Sequence, residues 1–313
     1  MKSIHVIAPG LLTTVQDLGR EGYGPMGVSR SGAADALSLR LGNQLVGNAE
    51  GTTALEMTLL GGTFAFPEGA VIALAGSDFG ATLDGEAVPL YTTVRVREGQ
   101  TLQLGSTRSG ARCYLCVQGG IQVKPFLGSG STHLLSGLGG FDGRPLRKGD
   151  VLQIRHAAGS VRARRLSPKV LKQLVPRKVL RTTPGPQSDW FSKSSIDAFC
   201  ENIYRVGEKS DRMGIRLEGQ AVISKREGDM ISEGVSNGAV QIPPGGTPII
   251  LFVEQQTTGG YPKIANVISA DFGSLGQLRP RDEIRFEQVG WNKARALLLE
   301  QEQLLSTKCL VVE

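Results

Sequence analysis

The segment VREGQTLQLG, residues 96–105, decides the predicted fold: a turn of charged residues and glycine leads into a strand of alternating polar and apolar residues. The same pattern recurs in LRKGDVLQI (146–154) and in LRPRDEIRF (278–286). Alternation with a period of two is typical of a half-buried β-strand. Because the pattern recurs at the end of each half of the chain, it predicts a mainly β protein with two similar barrels.

The composition agrees with this prediction. The chain has 313 residues, 42 of them glycine, and its short apolar runs end in turn signals. A chain of this length favours two domains over one. A few peripheral helices are predicted at residues 31–48, with Ser31 as a possible N-cap, and at 167–175, 188–204 and 291–305.

A basic segment near the middle of the chain, RARRLSPKVLKQLVPRKVLR (162–181), holds much of the net charge of +6. We interpret it as a solvated linker, with a docking surface for an acidic partner as the alternative. The predicted first domain covers residues 1–160, the linker 161–180 and the second domain 181–313. Aromatic residues make up only 5% of the chain, and no stacking motif accompanies the basic residues, so nucleic-acid binding is not expected.

The sequence also gives no support for a bound metal, a disulfide bond or a membrane-spanning segment. Cys113 and Cys116 lie three residues apart on a predicted strand, so they face opposite sides and make a poor disulfide or metal pair. The three histidines are scattered, no HExxH motif occurs, and no bound metal is expected. The chain has no apolar run long enough to span a membrane and no secretion signal, which predicts a cytoplasmic protein.

A polar cluster, VEQQTTGGYPKIANV (253–267), follows the apolar run PIILF (248–252). Amides and hydroxyls are costly to bury unless each finds a partner, so the cluster either braces a turn or receives a polar ligand. Gly259 and Gly260 precede Tyr261, and a tight turn with positive φ would explain both glycines.

Three further segments place polar side chains at the ends of predicted strands: TTVQDLGREGYG (13–24), AGSDFG (75–80) and SDRMGIRLEG (210–219). Their candidate site residues are Gln16, Asp17, Arg20, Ser77, Asp78, Asp211 and Arg212. An aspartate at such a position also caps its own backbone, and Asp17 with Arg20 also fits a local ion pair. Carboxylates, guanidinium groups and carboxamides together suit a small substrate that bears an amide and a carboxylate.

These segments, with others along nearly the whole chain, resemble one known family. The similarity is carried by PGLLTTVQDLGREGYG, SGAADALSLRLGN, ALEMTLLGG, AGSDF, RCYLCVQGGI, GFDGRPLRKGD, TPGPQSDWF, SDRMGIRLEG and EQQTTGGYPKIANV. The family is that of the C subunit of bacterial 5-oxoprolinase, also called KipA and often labelled allophanate hydrolase subunit 2. Its module is similar to the second part of the carboxyltransferase region of urea carboxylase.

The resemblance implies a mainly β fold of two cyclophilin-like β-barrel domains with a few peripheral helices. It implies two partner chains, the A and B subunits of 5-oxoprolinase, the latter KipI-like, and ATP-dependent hydrolysis of a small cyclic amide, 5-oxo-L-proline, to L-glutamate. ATP would act in the complex, and no biotin is expected on this chain. The alternatives are a regulatory KipA-type protein that antagonises a histidine-kinase inhibitor, and a carboxyltransferase component of a urea carboxylase or allophanate hydrolase system.

The family pattern also carries over residue by residue in the cluster at 253–267. Its matching residues are Gln256, Thr257, Thr258 and Tyr261, whereas Glu254 stands where the family often has aspartate. Among these, Gln256 and Tyr261 are expected to hold the amide edge of the substrate.

Roles for the charged candidates follow from the same comparison. Asp17 or Asp78 is expected to act as general base or to position a cation. Arg20 and Arg212 are expected to neutralise phosphate or carboxylate through bidentate contacts.

Overall fold

The computed structural model describes residues 2–157, 159, 161–226, 230–306 and 310–312. The chain forms two compact units. The first comprises Met1–Arg20, Ser31–Val175 and Leu304–Glu313, and the second comprises Glu21–Arg30 and Pro176–Gln303. The main division, between Val175 and Pro176, falls within the segment predicted as a linker.

The described residues contain the following elements in chain order. The strands are β1 (Ser3–Ala8), β2 (Leu12–Gln16), β3 (Ala54–Thr58), β4 (Thr63–Ala65), β5 (Ala70–Gly76), β6 (Thr82–Leu83), β7 (Glu86–Ala87), β8 (Val94–Val96), β9 (Thr101–Gln103), β10 (Arg112–Val117), β11 (Val151–Gln153), β12 (Arg164–Leu166), β13 (Val179–Pro184), β14 (Tyr204–Val206), β15 (Gly214–Glu218), β16 (Glu233–Gly234), β17 (Ala239–Gln241), β18 (Ile249–Leu251), β19 (Thr258–Gly259), β20 (Lys263–Val267), β21 (Glu283–Gln288) and β22 (Leu310–Val312). The helices are α1 (Ala36–Leu45), α2 (Pro168–Gln173), α3 (Lys193–Glu201), α4 (Phe272–Gly276) and α5 (Trp291–Ser306).

Two sheets enclose the core of the first unit. One has six strands in the order β11-β1-β4-β9-β6-β7, and the other has five in the order β2-β3-β10-β5-β8. Both sheets contribute to one apolar cluster, to which Ile4, Phe64, Leu74 and Leu115 belong with no exposed surface. Each such side chain contributes about 1.5–3 kcal/mol on burial, so this cluster contributes strongly to the unit's stability.

A second apolar cluster lies under α1. It contains Leu41 and Leu45 of the helix and Cys116 of β10, whereas Cys113 lies in the cluster between the sheets. The two thiols therefore face opposite sides of the strand, as predicted, and both are free. Burial raises the pKa of both thiols, which keeps them neutral. Cys309 lies outside the described residues.

The N-cap of α1 is Asp35 rather than the predicted Ser31. The Asp35 carboxylate accepts a hydrogen bond of 3.0 Å from the backbone N–H of Ser38. Ser31 has a positive φ of 56° and lies before the helix, so the prediction was wrong by four residues. The chain enters the helix through SGAAD, in which only the last residue is placed to receive the free N–H groups of the first turn.

The basic segment contains regular structure. Ser167 caps α2, and β12 pairs with β22 in a two-stranded sheet. Residues 161–175 therefore group with the first unit, and three of their apolar side chains, Val161, Leu166 and Val170, are buried in the cluster under α1.

The second unit is built on a closed barrel. Seven strands follow one another around it in the order β13-β20-β17-β18-β15-β14-β21, and a separate ribbon pairs β16 with β19. The mainly β fold with β-barrel architecture and a few helices is thus confirmed. Over the ranges that the structure describes, none of the helices combines the length and apolar character needed to cross a membrane.

The three sequence segments that predicted the fold share one turn. In each, an arginine N–H donates to the side chain three residues on: Arg97 to Gln100 at 2.8 Å, Arg147 to Asp150 at 2.7 Å and Arg279 to Asp282 at 2.9 Å. The third turn residue has a positive φ in all three: Gly99 at 77°, Gly149 at 92° and Arg281 at 73°. A positive φ at this position is the mark of a type II turn, which favours glycine there.

Arg281 is the only one of the three that is not glycine, and this predicts a stabilising substitution. We expect Arg281→Gly to raise the free energy of unfolding by about 0.5–1 kcal/mol, because an L-residue with a left-handed backbone carries a steric cost that glycine lacks. Equilibrium unfolding in urea measures the change. Glu208→Gln is the control, because it removes only the exposed 2.7 Å ion pair with Arg281. A free energy of unfolding for Arg281→Gly that is no higher than that of the wild type and of the control would contradict the expectation.

Candidate functional site

Asp17 is the centre of a buried hydrogen-bond cluster just after β2. Its carboxylate accepts four hydrogen bonds, from Gly19 N at 2.8 Å, Ser129 Oγ at 2.6 Å, Gly130 N at 2.6 Å and Ser131 Oγ at 2.5 Å. A carboxylate has about four lone-pair directions, and all are in use. Asp17 therefore anchors the loop at 129–131 and, in this arrangement, offers no lone pair to a substrate proton.

Arg20 and Gln16 bind the same loop. The Arg20 guanidinium donates to the Ser131 carbonyl oxygen at 2.6 Å and lies 5.5 Å from the centre of the Phe126 ring. The Gln16 amide donates to the Thr132 carbonyl oxygen at 3.2 Å. The structure thus brings three of the predicted residues together, as a buried brace for a loop.

Ser77 and Asp78 do not join this cluster. The Asp78 side chain is 41% exposed, accepts from Gly80 N at 2.7 Å and forms a 3.0 Å ion pair with Arg108. These contacts cap a turn at the surface, which is the structural alternative considered for the sequence.

The topology of the five-stranded sheet explains the separation. β2, β3, β10 and β5 are neighbours, and each adjacent pair is antiparallel. β2 and β5 therefore run in opposite directions, so Asp17 and Asp78 follow their strands at opposite ends of the sheet. With about 3.3 Å per residue and about 4.8 Å per strand, the two carboxylates are on the order of 20 Å apart.

Arg212 of the second unit forms a buried ion pair with Glu254. The two side chains are 6% and 2% exposed, and Arg212 Nε lies 2.5 Å from Glu254 Oε1. Asp211 instead caps its own turn, accepting from Met213 N at 2.8 Å and from Gly214 N at 3.1 Å. The ion pair fastens the start of the polar cluster to the turn that precedes β15.

The remaining predicted residues of the polar cluster reach the surface. Gln256 and Thr258 are exposed, Tyr261 is 43% exposed and Thr257 is half-buried. Their side chains are available to a ligand or a partner, unlike those of Arg212 and Glu254.

The two glycines of the cluster have a steric role, and the prediction of positive φ was wrong. Neither Gly259 nor Gly260 has a positive φ. A Cβ on Gly259 would lie 2.5 Å from Nε2 of Gln241, and one on Gly260 would lie 3.1 Å from the Met230 carbonyl oxygen. Glycine suits both positions because neighbouring groups approach the backbone closely, and a side chain would require them to shift.

Four polar residues that the sequence analysis did not select lie at Gly259 or at its register partner Glu233. They are Gln187, Glu233, Gln241 and Lys263. Lys263 Nζ lies 2.5 Å from Glu233 Oε1, and the Gln187 amide donates to the same oxygen at 2.8 Å. The pKa of Glu233 is lowered by Lys263 and then by Gln187. A signal was present in the sequence, because a lysine beginning the apolar run KIANV is seldom buried without a partner.

In the ranges described, no group of three or more His, Cys, Asp or Glu side chains is arranged to hold a metal ion. The polar groups near the ribbon of β16 and β19 include the amides of Gln187, Gln241 and Gln256, the Lys263 ammonium and the Glu233 carboxylate. Such a set binds oxygen and amide groups of organic ligands.

The sequence matches the family model of the carboxyltransferase domain, subdomain A and B, over residues 26–288. The chain belongs to this carboxyltransferase family. It is 40% identical over 295 residues to the C subunit of 5-oxoprolinase from Haemophilus influenzae, with 92% of each chain covered. It is 39% identical over 300 residues to the C subunit of 5-oxoprolinase from Escherichia coli, with 96% of each covered.

A solved structure extends the comparison to a much longer protein. The K. lactis urea amidolyase superposes with a TM-score of 0.89 at 33% identity, over 97% of this chain and 20% of the amidolyase. The family resemblance stated from the sequence motifs is confirmed. The chain corresponds to nearly the full length of the two bacterial subunits but to only a fifth of the amidolyase.

Proposed function

We propose that the chain is the C subunit of an ATP-dependent 5-oxoprolinase and acts with the A and B subunits of that enzyme. The observation that carries the proposal is the nearly complete, reciprocal coverage at 40% and 39% identity with two bacterial proteins of that name. A polar cluster of amides and a phenol at the surface of the second unit supports a role in binding an amide substrate.

In the proposed reaction, water adds to the carbonyl carbon of the lactam and the ring C–N bond breaks. The ring nitrogen takes up a proton and becomes the amino group of glutamate. When ATP has first phosphorylated the carbonyl oxygen, ring opening leaves an acyl phosphate, and a second water hydrolyses it to the carboxylate and free phosphate, so the reaction consumes two waters and yields ADP and phosphate. ATP is a co-substrate of the complex, and its use would overcome the stability of the lactam by activating the carbonyl oxygen.

Roles within this chain follow from exposure. Gln256 and Tyr261 are the proposed contacts to the amide edge of the substrate, because their side chains reach solvent. Asp17 and Arg212 are proposed as positioning residues, since both are buried and held by other groups of the chain. For the same reason, the phosphate-binding roles expected for Arg20 and Arg212 are not retained.

Carboxyl transfer is the second candidate function. The close superposition on the K. lactis urea amidolyase favours it, since that protein contains the same fold at 33% identity. This function would require a biotinylated partner chain that delivers the carboxyl group.

Reconstitution tests the proposal. Purified A and B subunits mixed with this chain are expected to release glutamate from 5-oxo-L-proline only when ATP and all three proteins are present. Gln256→Ala is expected to lower kcat/KM by about tenfold, the loss of about 1.4 kcal/mol of transition-state binding. Glutamate release is measured enzymatically.

The control for Gln256→Ala is Lys293→Ala, which removes an exposed lysine 3.4 Å from Glu287. It is expected to leave turnover unchanged. Release of no glutamate by the complete mixture would refute the proposed function, and carboxylation of urea with a biotinylated partner would replace it with the second candidate.

A further inference from the structure

Gln241 and Lys263 form a pair of buried nitrogen donors on the second unit. They are register partners on β17 and β20, and each is only 2% exposed. The register of the two strands shifts beside this pair, and the ribbon of β16 and β19 connects the two side chains. Glu233 is the register partner of Gly259, the backbone of Gly259 approaches Gln241 Nε2, and Glu233 Oε1 lies 2.5 Å from Lys263 Nζ. The carboxamide and the ammonium therefore both lie next to this ribbon.

The Gln241 side chain lies on the outer face of the barrel. Gln241 is also the register partner of Ile249, and Ile249 is the partner of the exposed Arg216. Because register partners share a face, Gln241 points away from the barrel interior. The ribbon of β16 and β19 contacts both donors, since the backbone of Gly259 lies against the Gln241 amide and Glu233 contacts Lys263.

Both donors lack an aligned acceptor among the described residues. Gln241 Nε2 has no hydrogen-bond partner there, and neither does Lys263 Nζ. The 2.5 Å contact of Lys263 with Glu233 is an ion pair by charge and distance, but it does not have the angles of a hydrogen bond. A buried donor left without an acceptor costs about 1–3 kcal/mol, so two neighbouring ones mark a place where an acceptor binds.

The ammonium of Lys263 and the carboxamide of Gln241 determine which kind of ligand group can bind between them. An ammonium group beside a carboxamide N–H₂ offers protons and a positive charge to one small volume. A carboxylate matches both, because it is anionic and its two oxygens can each accept from a separate donor.

Glu233 occupies this volume from the solvent side. Its side chain is 43% exposed, whereas Lys263 is buried. The Glu233 carboxylate can therefore leave Lys263 and be solvated by water. Another carboxylate can then reach Lys263 from the same solvent-facing side.

We propose that Gln241 and Lys263 form a carboxylate-binding subsite, in which the carboxylate of a small substrate displaces Glu233 from Lys263. The identity of that substrate as 5-oxo-L-proline rests on the proposed function. The subsite gives Lys263 a role in binding, and gives Glu233 the role of a competing internal anion.

Substitutions on the two sides of the ion pair are expected to have opposite effects. Lys263→Met is expected to raise the Kd of the complex for 5-oxo-L-proline by about tenfold or more, because the charge-assisted contact is lost. Gln241→Leu is expected to raise it severalfold. Glu233→Gln is expected to lower it, because the competing carboxylate is gone. Isothermal titration calorimetry on the assembled complex measures each Kd.

A second lactam separates carboxylate recognition from general damage. 2-Pyrrolidinone has the same ring without the carboxylate, so its Kd is expected to stay unchanged in all three variants. Lys293→Met is the matched control, an exposed lysine in an ion pair with Glu287, and is expected to change neither Kd. Equal weakening of both lactams by Lys263→Met, no change in either, or weaker binding by Glu233→Gln would overturn the subsite.

The test still gives an answer if Lys263→Met does not fold or if the complex is inactive. If Lys263→Met fails to fold, as judged by its thermal unfolding, the opposite signs of Gln241→Leu and Glu233→Gln carry the test. If the wild-type complex releases no glutamate, the proposed function fails, and the subsite is tested with acetate on the full chain by saturation-transfer NMR. Acetate binding that Lys263→Met abolishes would retain the subsite, and absence of acetate binding by the wild type would overturn it.

Discussion

Glu254→Leu is expected to lower the free energy of unfolding by about 3–5 kcal/mol. The substitution leaves the guanidinium of Arg212, 6% exposed, without the carboxylate that lies 2.5 Å away. Removing one partner of a buried ion pair is among the most destabilising changes that a folded protein undergoes. Unfolding in urea, followed by circular dichroism, measures the loss.

The double variant Arg212→Met/Glu254→Leu is the matched comparison. It removes both charges and replaces them with apolar groups, so most of the lost stability is expected to return, to within about 1–2 kcal/mol of the wild type. Glu208→Gln, which removes one partner of the exposed pair with Arg281, is expected to cost no more than about 1 kcal/mol. The single variant Arg212→Met completes the comparison. If the loss of unfolding free energy in the double variant equalled the sum of the losses in the two single variants, the two charges would not be coupled.

Asp17→Ala is expected to cost at least about 3 kcal/mol of unfolding free energy, because four donors lose a charged acceptor at once. Two of them are the hydroxyl groups of Ser129 and Ser131, which lie on the loop that Asp17 anchors. Urea unfolding measures the cost, and glutamate release by the reconstituted complex, divided by the folded fraction, measures the effect on catalysis.

The two measurements distinguish a brace from a general base. If Asp17 braces the loop, turnover per folded molecule is expected to stay within about tenfold of the wild type, whereas removal of a general base typically costs about 100-fold or more. Asp78→Asn is the control, because that carboxylate is 41% exposed and caps a surface turn. A stable Asp17→Ala variant with lost turnover would restore the catalytic role.

Local chemistry made part of the fold predictable. The turns at Arg97, Arg147 and Arg279 each depend on residues no more than three positions apart. Their strands alternate strictly enough to be recognised without any knowledge of the partners. The capping of α2 by Ser167 is local in the same sense.

Long-range contacts account for what the sequence did not reveal. Asp17 and Ser131 are 114 positions apart, and Arg212 and Glu254 are 42 apart. No rule of sequence spacing connects such residues. Asp17 and Arg212, which hold other parts of the chain in place, therefore could not be distinguished in the sequence from catalytic groups. The steric role of Gly259 was hidden for the same reason, because Gln241 belongs to a different strand.

The pairing of β12 with β22 also bears on how the protein is made. β22 follows every barrel strand in the chain, yet it forms a sheet with a strand of the first unit. During synthesis, β12 is complete long before β22 exists, so one edge of β12 keeps its backbone N–H and C=O groups unpaired while the barrel strands are translated. The first unit to leave the ribosome is therefore the last to acquire all of its strands.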